Sequence, residues 1–255
     1  MFKPHSECIA KLSNGVDIHY TDSGAPRSTN YVTLVILHGS GFNGAVFNPL
    51  HEFAHRSNLR TIAWNRRGYG RSTDYTDGEL ADLRAGRQVH QDRLAFQLAE
   101  FLGHFIETKD TPKLGSDRKT GGFIIVGWSF GNATTLSLFA SPGAIPKPLY
   151  ELIEPYIMSF VLYDPPFAAL GYPSPDYENL YDPWTDPTCL SPEQRFNNFQ
   201  HWVSSYYKHP DISSGSCSGL DFRKRTKMCT SNRWSEVQKA FHFDKMALVR
   251  TEAPS

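Results

Sequence analysis

Residues 121–131 read GGFIIVGWSFG, an apolar run that ends in a Gly-x-Ser-x-Gly pentapeptide. Four apolar residues after a glycine pair are typical of a buried β-strand. In the next segment, residues 132–140, apolar residues recur at helical spacing and nothing breaks a helix. The pattern therefore predicts a strand, a sharp turn and a helix, with Ser129 at the turn.

The predicted turn gives Ser129 a chemical role. A serine at the apex of such a turn projects from the end of the sheet, and the crowded backbone leaves room only for small residues two positions away. Gly127 and Gly131 occupy those positions. The backbone N–H of Phe130 would then point to the charge that develops when Ser129 Oγ attacks a carbonyl. Ser129 is the predicted nucleophile, although an ordinary strand-to-helix turn would explain the same glycines.

Two further motifs lie upstream. Residues 31–37, YVTLVIL, predict a strand that ends at the loop HGSG, and residues 59–64, LRTIAW, predict a strand that ends at the loop NRRGYGRS. With these loops, the chain from about residue 15 to 166 resembles the α/β-hydrolase family. Asn65 replaces the aspartate that usually opens the second loop, a position that is normally structural.

The resemblance implies an α/β fold: a mostly parallel, doubly wound sheet with a helical cap inserted after the sixth strand. Residues 1–166 would form the hydrolase core and residues 167–255 the cap or lid. The backbone N–H groups of Ser40 and Phe130 would form the oxyanion hole. The resemblance implies no cofactor.

A sixth strand is predicted over residues 158–163, and it ends at Asp164. In some branches of the family the acid of the catalytic triad follows this strand, which makes Asp164 the candidate acid. The alternative is that the Asp-Pro-Pro sequence only terminates the strand by its turn chemistry.

Two helices are predicted in the residues that follow. Ser191 followed by Gln194 is a capping-box pattern, and it predicts a helix that runs to about Tyr207. A second helix is predicted from Trp234 to about Leu248. In the family such helices cover the nucleophile, and their aromatic side chains would form an apolar lid.

The catalytic base is the difficulty. The family usually presents its histidine after an eighth strand, and residues 167–255 show no pattern for a seventh or eighth strand. The preferred explanation is a C-terminally incomplete hydrolase. The other is an unusual base, with His242 as the candidate and His201 and His38 as further possibilities.

Composition limits the partners. Lys plus Arg and Asp plus Glu both number 26, and no long basic stripe occurs, which argues against nucleic-acid partners. No apolar run approaches the roughly 18 residues of a membrane span, and the N-terminus lacks a signal-peptide pattern, so a cytoplasmic location is expected. His51 and His55 are four residues apart, but no third ligand lies near them, so no metal site is predicted.

The expected function is hydrolysis of a small, apolar carboxylic ester through an acyl intermediate on Ser129. The alternative is an inactive hydrolase, or a binding module for a small ligand, that keeps the pocket without turnover. Dehalogenase and epoxide-hydrolase chemistry is disfavoured, because those branches carry aspartate where this chain has Ser129. Missing strands would expose a sheet edge, through which a homodimer is expected.

Overall fold

The computed structural model describes residues 5–173, 181–223 and 225–244. A six-stranded sheet and a separate two-stranded sheet organise these residues. The strands of the large sheet are β1 Ser6–Lys11, β2 Asp17–Asp22, β3 Val32–Leu37, β4 Leu59–Trp64, β5 Phe123–Trp128 and β6 Ile157–Tyr163. The small sheet consists of β7 Ser205–Tyr207 and β8 Arg225–Cys229.

The strand order of the large sheet is β1-β2-β4-β3-β5-β6. The hairpin strands β1 and β2 join it antiparallel, and β4, β3, β5 and β6 run parallel. The α-helices are α1 Asn48–Ala54, α2 Asp77–Arg84, α3 Gln88–Thr108, α4 Gly131–Ala140, α5 Lys147–Ile153, α6 Pro192–Val203 and α7 Glu236–His242. The predicted α/β class with a mostly parallel sheet is confirmed.

Both faces of the sheet are covered. On β4, Ile62 and Trp64 point to the core that α3 completes, and the Trp64 ring stacks on Phe101 with centroids 5.2 Å apart. Thr61, one position away, points to the opposite face and contacts His51 of α1. This alternation is the period-2 pattern of a strand buried on both sides. None of the helices in the described part of the chain is long and apolar enough to span a bilayer.

His51 is held between two threonines under α1. Its Nδ1 lies 2.7 Å from Thr61 Oγ1, and its Nε2 lies 2.9 Å from Thr21 Oγ1. Burial lowers the pKa of His51 to about 4, and the neighbouring His5 adds to the effect. The ring is therefore neutral near pH 7, with both nitrogens bound to hydroxyl groups.

The low pKa of His51 makes the fold sensitive to acid. Above pH 6.5, the ordinary histidine value, folded and unfolded chains both hold the ring neutral. As the pH falls from 6.5 towards 4, the unfolded chain binds the proton first, and unfolding becomes easier by about 1.4 kcal/mol per pH unit. We expect urea denaturation of His51→Gln to show a pH slope smaller by this amount. The control is His55→Gln, directly after the same helix, and equal slopes in both variants would contradict the assignment.

The chain after β6 differs from the predicted purely helical cap. The helix α6 starts with the predicted Ser191–Gln194 capping box, but it ends at Val203 and not at Tyr207. The residues that follow form β7, which pairs antiparallel with the unpredicted strand β8. Tyrosine-rich segments favour extended backbone, and here the pairing partner decides the outcome. The helix α7 covers Glu236–His242, and its predicted extension to Leu248 lies outside the described residues.

A cluster of aromatic side chains joins the segment after β6 to the end of the large sheet. Phe196 and Phe199 of α6 and Phe243 pack with Phe42, which follows β3. The Phe42 ring lies 4.6 Å from that of Phe243 and 5.3 Å from that of Trp128, next to the serine turn. Apolar area removed from water at this junction fixes the later segment over the carboxyl ends of the strands.

Candidate active site

Ser129 occupies the turn between β5 and α4. Its backbone is left-handed, with φ of +50°, which is uncommon and strained for a residue with a side chain. Hydrogen bonds on both sides hold it there. The Ser129 N–H donates to Tyr163 O at 3.0 Å, and Asn132 Nδ2 donates to Ser129 O at 2.7 Å. The side chain is half-buried and lies at the carboxyl end of the sheet.

Three glycines allow the chain segments around the Ser129 turn to pack closely. A Cβ added to Gly127 would lie 2.6 Å from Thr135 Oγ1, and one added to Gly131 would lie 2.2 Å from Leu37 O. A Cβ on Gly39, in the loop after β3, would lie 2.9 Å from Ser129 Cβ. Real Cβ atoms do not approach this closely, so each position requires glycine. Gly39 was not singled out from the sequence.

The predicted oxyanion donors lie on either side of this contact. Ser40 follows Gly39, which lies directly against Ser129, and Phe130 follows Ser129 at the first turn of α4. Gly41, with φ of +77°, then turns the loop away. The Phe199 ring covers Gly41 so tightly that an added Cβ would lie 2.4 Å from it. The loop that carries Ser40 is thus held between the serine turn and α6.

His38 is unsuited to act as a base. It is fully buried, its Nε2 accepts a hydrogen bond from the Arg66 N–H at 3.1 Å, and its Nδ1 lies 2.8 Å from Gly39 O. Burial, and then the positive charge of Arg66, lower its pKa well below the ordinary value. A neutral ring with both nitrogens engaged positions the loop rather than taking up protons.

The other two candidate histidines lie in the later segment. His201 is exposed on α6, where its Nδ1 lies 3.7 Å from Cys229 Sγ. His242 ends α7, and its half-buried ring packs on Trp234 with centroids 4.9 Å apart. Burial lowers the His242 pKa, and its Nδ1 has no partner among the described residues. Within those residues, no histidine is hydrogen-bonded to Ser129.

His242 is nevertheless anchored through its backbone to the loop after β3. The Asn43 N–H donates to His242 O at 3.0 Å, and Asn43 Nδ2 donates to Phe241 O at 2.7 Å. Phe243 forms a bridge with Phe42, and the Asp244 N–H donates to Gly41 O at 2.8 Å. Residues 241–244 therefore lie along the loop as a short strap. Their role could not be foreseen from sequence, because no local pattern links residue 43 to residue 241.

Asp164 lies directly after β6, one position beyond the Trp128–Tyr163 register pair. It is therefore the sheet neighbour of Ser129, and its own φ is +48°. Its side chain is exposed and has no hydrogen-bond or ion-pair partner among the described residues. The structure thus brings Asp164 to the serine turn without joining it to a histidine, and its catalytic role stays a prediction.

Asn65, where the sequence departs from the family pattern, has a structural role. Its Oδ1 accepts from the Gly44 N–H at 2.6 Å, and its Nδ2 lies 2.7 Å from His19 Nδ1. An aspartate could make the first contact but has no N–H for the second, so the amide suits His19.

Comparison with known proteins agrees with this geometry. A model of the alpha/beta hydrolase family matches residues 34–241. The chain belongs to the alpha/beta hydrolase family. No curated protein matches the sequence.

The solved structures that resemble this chain include three that each align to it with a TM-score of 0.53. They are a protein assigned as an aryl esterase from Burkholderia cenocepacia, an esterase from Exiguobacterium antarcticum and a bromoperoxidase from Bacillus anthracis. In that order, their sequences are 14%, 15% and 16% identical to this chain. The alignments cover 98%, 97% and 97% of this chain, and 72%, 73% and 73% of the three other chains. Similarity at these identities shows the fold alone.

The close approach at Gly131 predicts a large effect on stability. Gly131→Ala places a methyl group against Leu37 O, so the helix must shift from the strand. We expect the free energy of unfolding to fall by about 3 kcal/mol. The matched control is Gly78→Ala in α2, whose new methyl group meets no atom within 4 Å and raises helix propensity by up to about 1 kcal/mol. Urea denaturation measures both; equal stabilities would contradict the packing argument.

Proposed function

We propose that the chain is a serine hydrolase that cleaves small carboxylic esters through an acyl intermediate on Ser129. The observation that carries the proposal is the left-handed backbone of Ser129 between β5 and α4. Strain of this kind persists only where surrounding contacts impose it, and it concentrates at functional sites. A structural serine needs no such conformation, whereas a nucleophile gains an exposed hydroxyl and a helix N-terminus beside it.

The proposed reaction uses groups around this turn. Ser129 Oγ attacks the ester carbonyl, and the backbone N–H groups of Ser40 and Phe130 stabilise the oxyanion. The alcohol leaves with a proton, and water then releases the acid from Ser129. The Phe42 and Trp128 rings lie next to the turn and suit an apolar acyl group.

His242 is the proposed base. His38 has both nitrogens engaged, and His201 lies beside Cys229 on the exposed side of α6. His242 combines a neutral ring, an unpartnered Nδ1 and a backbone attached to the oxyanion loop. Its ring must turn towards Ser129 to accept the proton, and catalytic contacts often tighten only with substrate bound. Asp164, as the sheet neighbour of Ser129, is the proposed acid.

The second candidate function is binding of a small ligand without turnover. It is favoured by one observation: Ser129 has no histidine partner among the described residues. A serine without a base is a weak nucleophile, and loss of one triad member removes several orders of magnitude of rate. The two candidates share the pocket and differ in whether the hydroxyl is activated.

Labelling with a fluorophosphonate probe separates the two functions. We expect the folded protein to be labelled, and Ser129→Ala to abolish labelling because the attacking oxygen is gone. Ser159→Ala, on the exposed part of β6, is the matched serine control and should label like the native protein. His242→Ala should slow labelling by at least about 100-fold, the usual contribution of a general base.

Each labelling outcome rejects a different part of the proposal. No labelling of folded native protein would reject the hydrolase and support the binding function. Labelling that survives in Ser129→Ala would place the reactive group elsewhere. Labelling that is lost in Ser129→Ala but unchanged in His242→Ala would keep the nucleophile and reject the base.

We further propose that two copies pair through β6. Within the described residues, β6 pairs with no strand other than β5. Arg118 Nη2 donates to the carbonyls of Ile157 and Met158 at 3.4 and 3.2 Å, so the open part of the other edge begins after Met158. The strand IMSFVLY carries no charge, and Val161 and Tyr163 are 43% and 60% exposed. Open, uncharged edges favour pairing with another strand, and natural edges usually carry a charge to prevent it.

A lysine on this edge should prevent the association. We expect sedimentation velocity to show a dimer for the native chain and a monomer for Val161→Lys, because two buried lysines would face each other in a symmetric pair. Val237→Lys on α7 is the control for added charge at an exposed valine, and it should leave the dimer intact. A native chain that sediments as a monomer at all concentrations would reject the pairing.

A further inference from the structure

Three arginines are buried among the described residues, and two of them have carboxylate partners. Arg60 forms a forked pair with Asp22, with Nε–Oδ1 and Nη2–Oδ2 distances of 2.9 and 2.5 Å. Arg67 forms another with Glu79, with Nη1–Oε1 and Nη2–Oε2 distances of 2.5 and 3.0 Å. Buried charges are normally neutralised in this way. The third arginine, Arg66, is 8% exposed and pairs with no carboxylate in the described part of the chain.

The contacts of Arg66 leave its charge uncompensated. Its Nη2 donates to Gly39 O at 3.1 Å, and its guanidinium lies 4.9 Å from the centre of the Tyr69 ring. Its Nε is buried and has no hydrogen-bond partner among the described residues. A carbonyl dipole and an aromatic face stabilise a cation only partly. An anion would satisfy both the free donor and the charge.

A cavity of about 70 Å³ lies beside Arg66. Liquid water occupies roughly 30 Å³ per molecule, so the cavity can hold a carboxylate-sized group. Its walls include the polar side chains of Tyr69, Tyr75, His90 and Gln91. Arg67 also reaches it, but Glu79 neutralises that charge. The site therefore offers one net positive charge, which matches a carboxylate better than a doubly charged phosphate.

The cavity adjoins the serine turn. Phe130 and Ala133, from the start of α4, form one wall. Arg66 is bonded to the carbonyl of Gly39, and Gly39 lies against Ser129. A carboxylate bound in this cavity would thus lie against Phe130, the residue that follows the proposed nucleophile Ser129.

We propose that Arg66 and this cavity form a carboxylate-binding subsite, so that the substrate is an ester carrying a free carboxylate at its other end. The identity of this ligand as a substrate rests on the proposed hydrolase function. Binding of the carboxylate itself does not depend on turnover. In the sequence the site corresponds to the first of the two adjacent arginines at positions 66 and 67.

The test measures binding directly, in Ser129→Ala protein that cannot turn the ligand over. Calorimetric titration compares monomethyl succinate, which carries one carboxylate, with the neutral dimethyl succinate. We expect the monoester to bind at least tenfold more tightly. Arg66→Gln in the same background should remove that preference and leave dimethyl succinate binding unchanged. Arg71→Gln, in the same loop but paired with exposed Glu7, is the control and should keep the preference.

Further variants guard against misfolding. Arg66→Lys retains the positive charge, so it should keep part of the preference for monomethyl succinate. This variant provides the test if Arg66→Gln fails to fold. Equal affinities for the two succinates, or a preference that persists in folded Arg66→Gln, would overturn the subsite. Fluorophosphonates carry no carboxylate, so their labelling of Ser129 reports the hydrolase separately. A chain that binds monomethyl succinate through Arg66 but resists the probe would keep the subsite and lose the proposed reaction.

Discussion

The left-handed conformation of Ser129 is the constraint on which the rest of the site depends. It turns the chain from β5 into α4 within two residues, which requires α4 to pass against the end of β3. The 2.2 Å that would separate a Gly131 Cβ from Leu37 O shows how little space remains. The turn therefore fits only with β3 and β5 in their observed register. Hydrogen bonds from the Ser129 N–H and from Asn132 then lock the turn to β6.

The loops after β3 and β4 show how buried polar groups support this turn. His38 sits between the Arg66 N–H and Gly39 O, so one neutral ring couples the two loops. Asn65 links the second loop to Gly44 and His19 in the same manner. In a low-dielectric interior such networks are stable only when their members are satisfied. Among the three buried arginines of the described residues, Arg66 is the one without a carboxylate partner, and it is bonded to Gly39 beside the serine turn.

The segment after β6 contributes by packing and by backbone contacts. Its phenylalanines bury Phe42 and cover Gly41, and its strap at residues 241–244 pairs with the loop that carries Ser40. The loop is held from both sides, as the proposed oxyanion role of the Ser40 N–H requires. The same packing brings the backbone of His242 to the loop, although its ring points into an aromatic contact with Trp234.

The sequence by itself determined the α/β class, the four parallel strands of the large sheet and the position of Ser129. These features follow from local rules: apolar runs, glycines at a sharp turn, and a capping box at Ser191. Only the tertiary structure decided three features: the pairing of β7 with β8, the close contact of Gly39 with Ser129, and the lack of a carboxylate beside Arg66 among the described residues. The first two features join residues that are distant along the chain, and the third depends on which carboxylates fold next to Arg66. No local sequence pattern encodes those distances. The same reason explains why Asp164 and His242 could be named as candidates from sequence but not joined to Ser129.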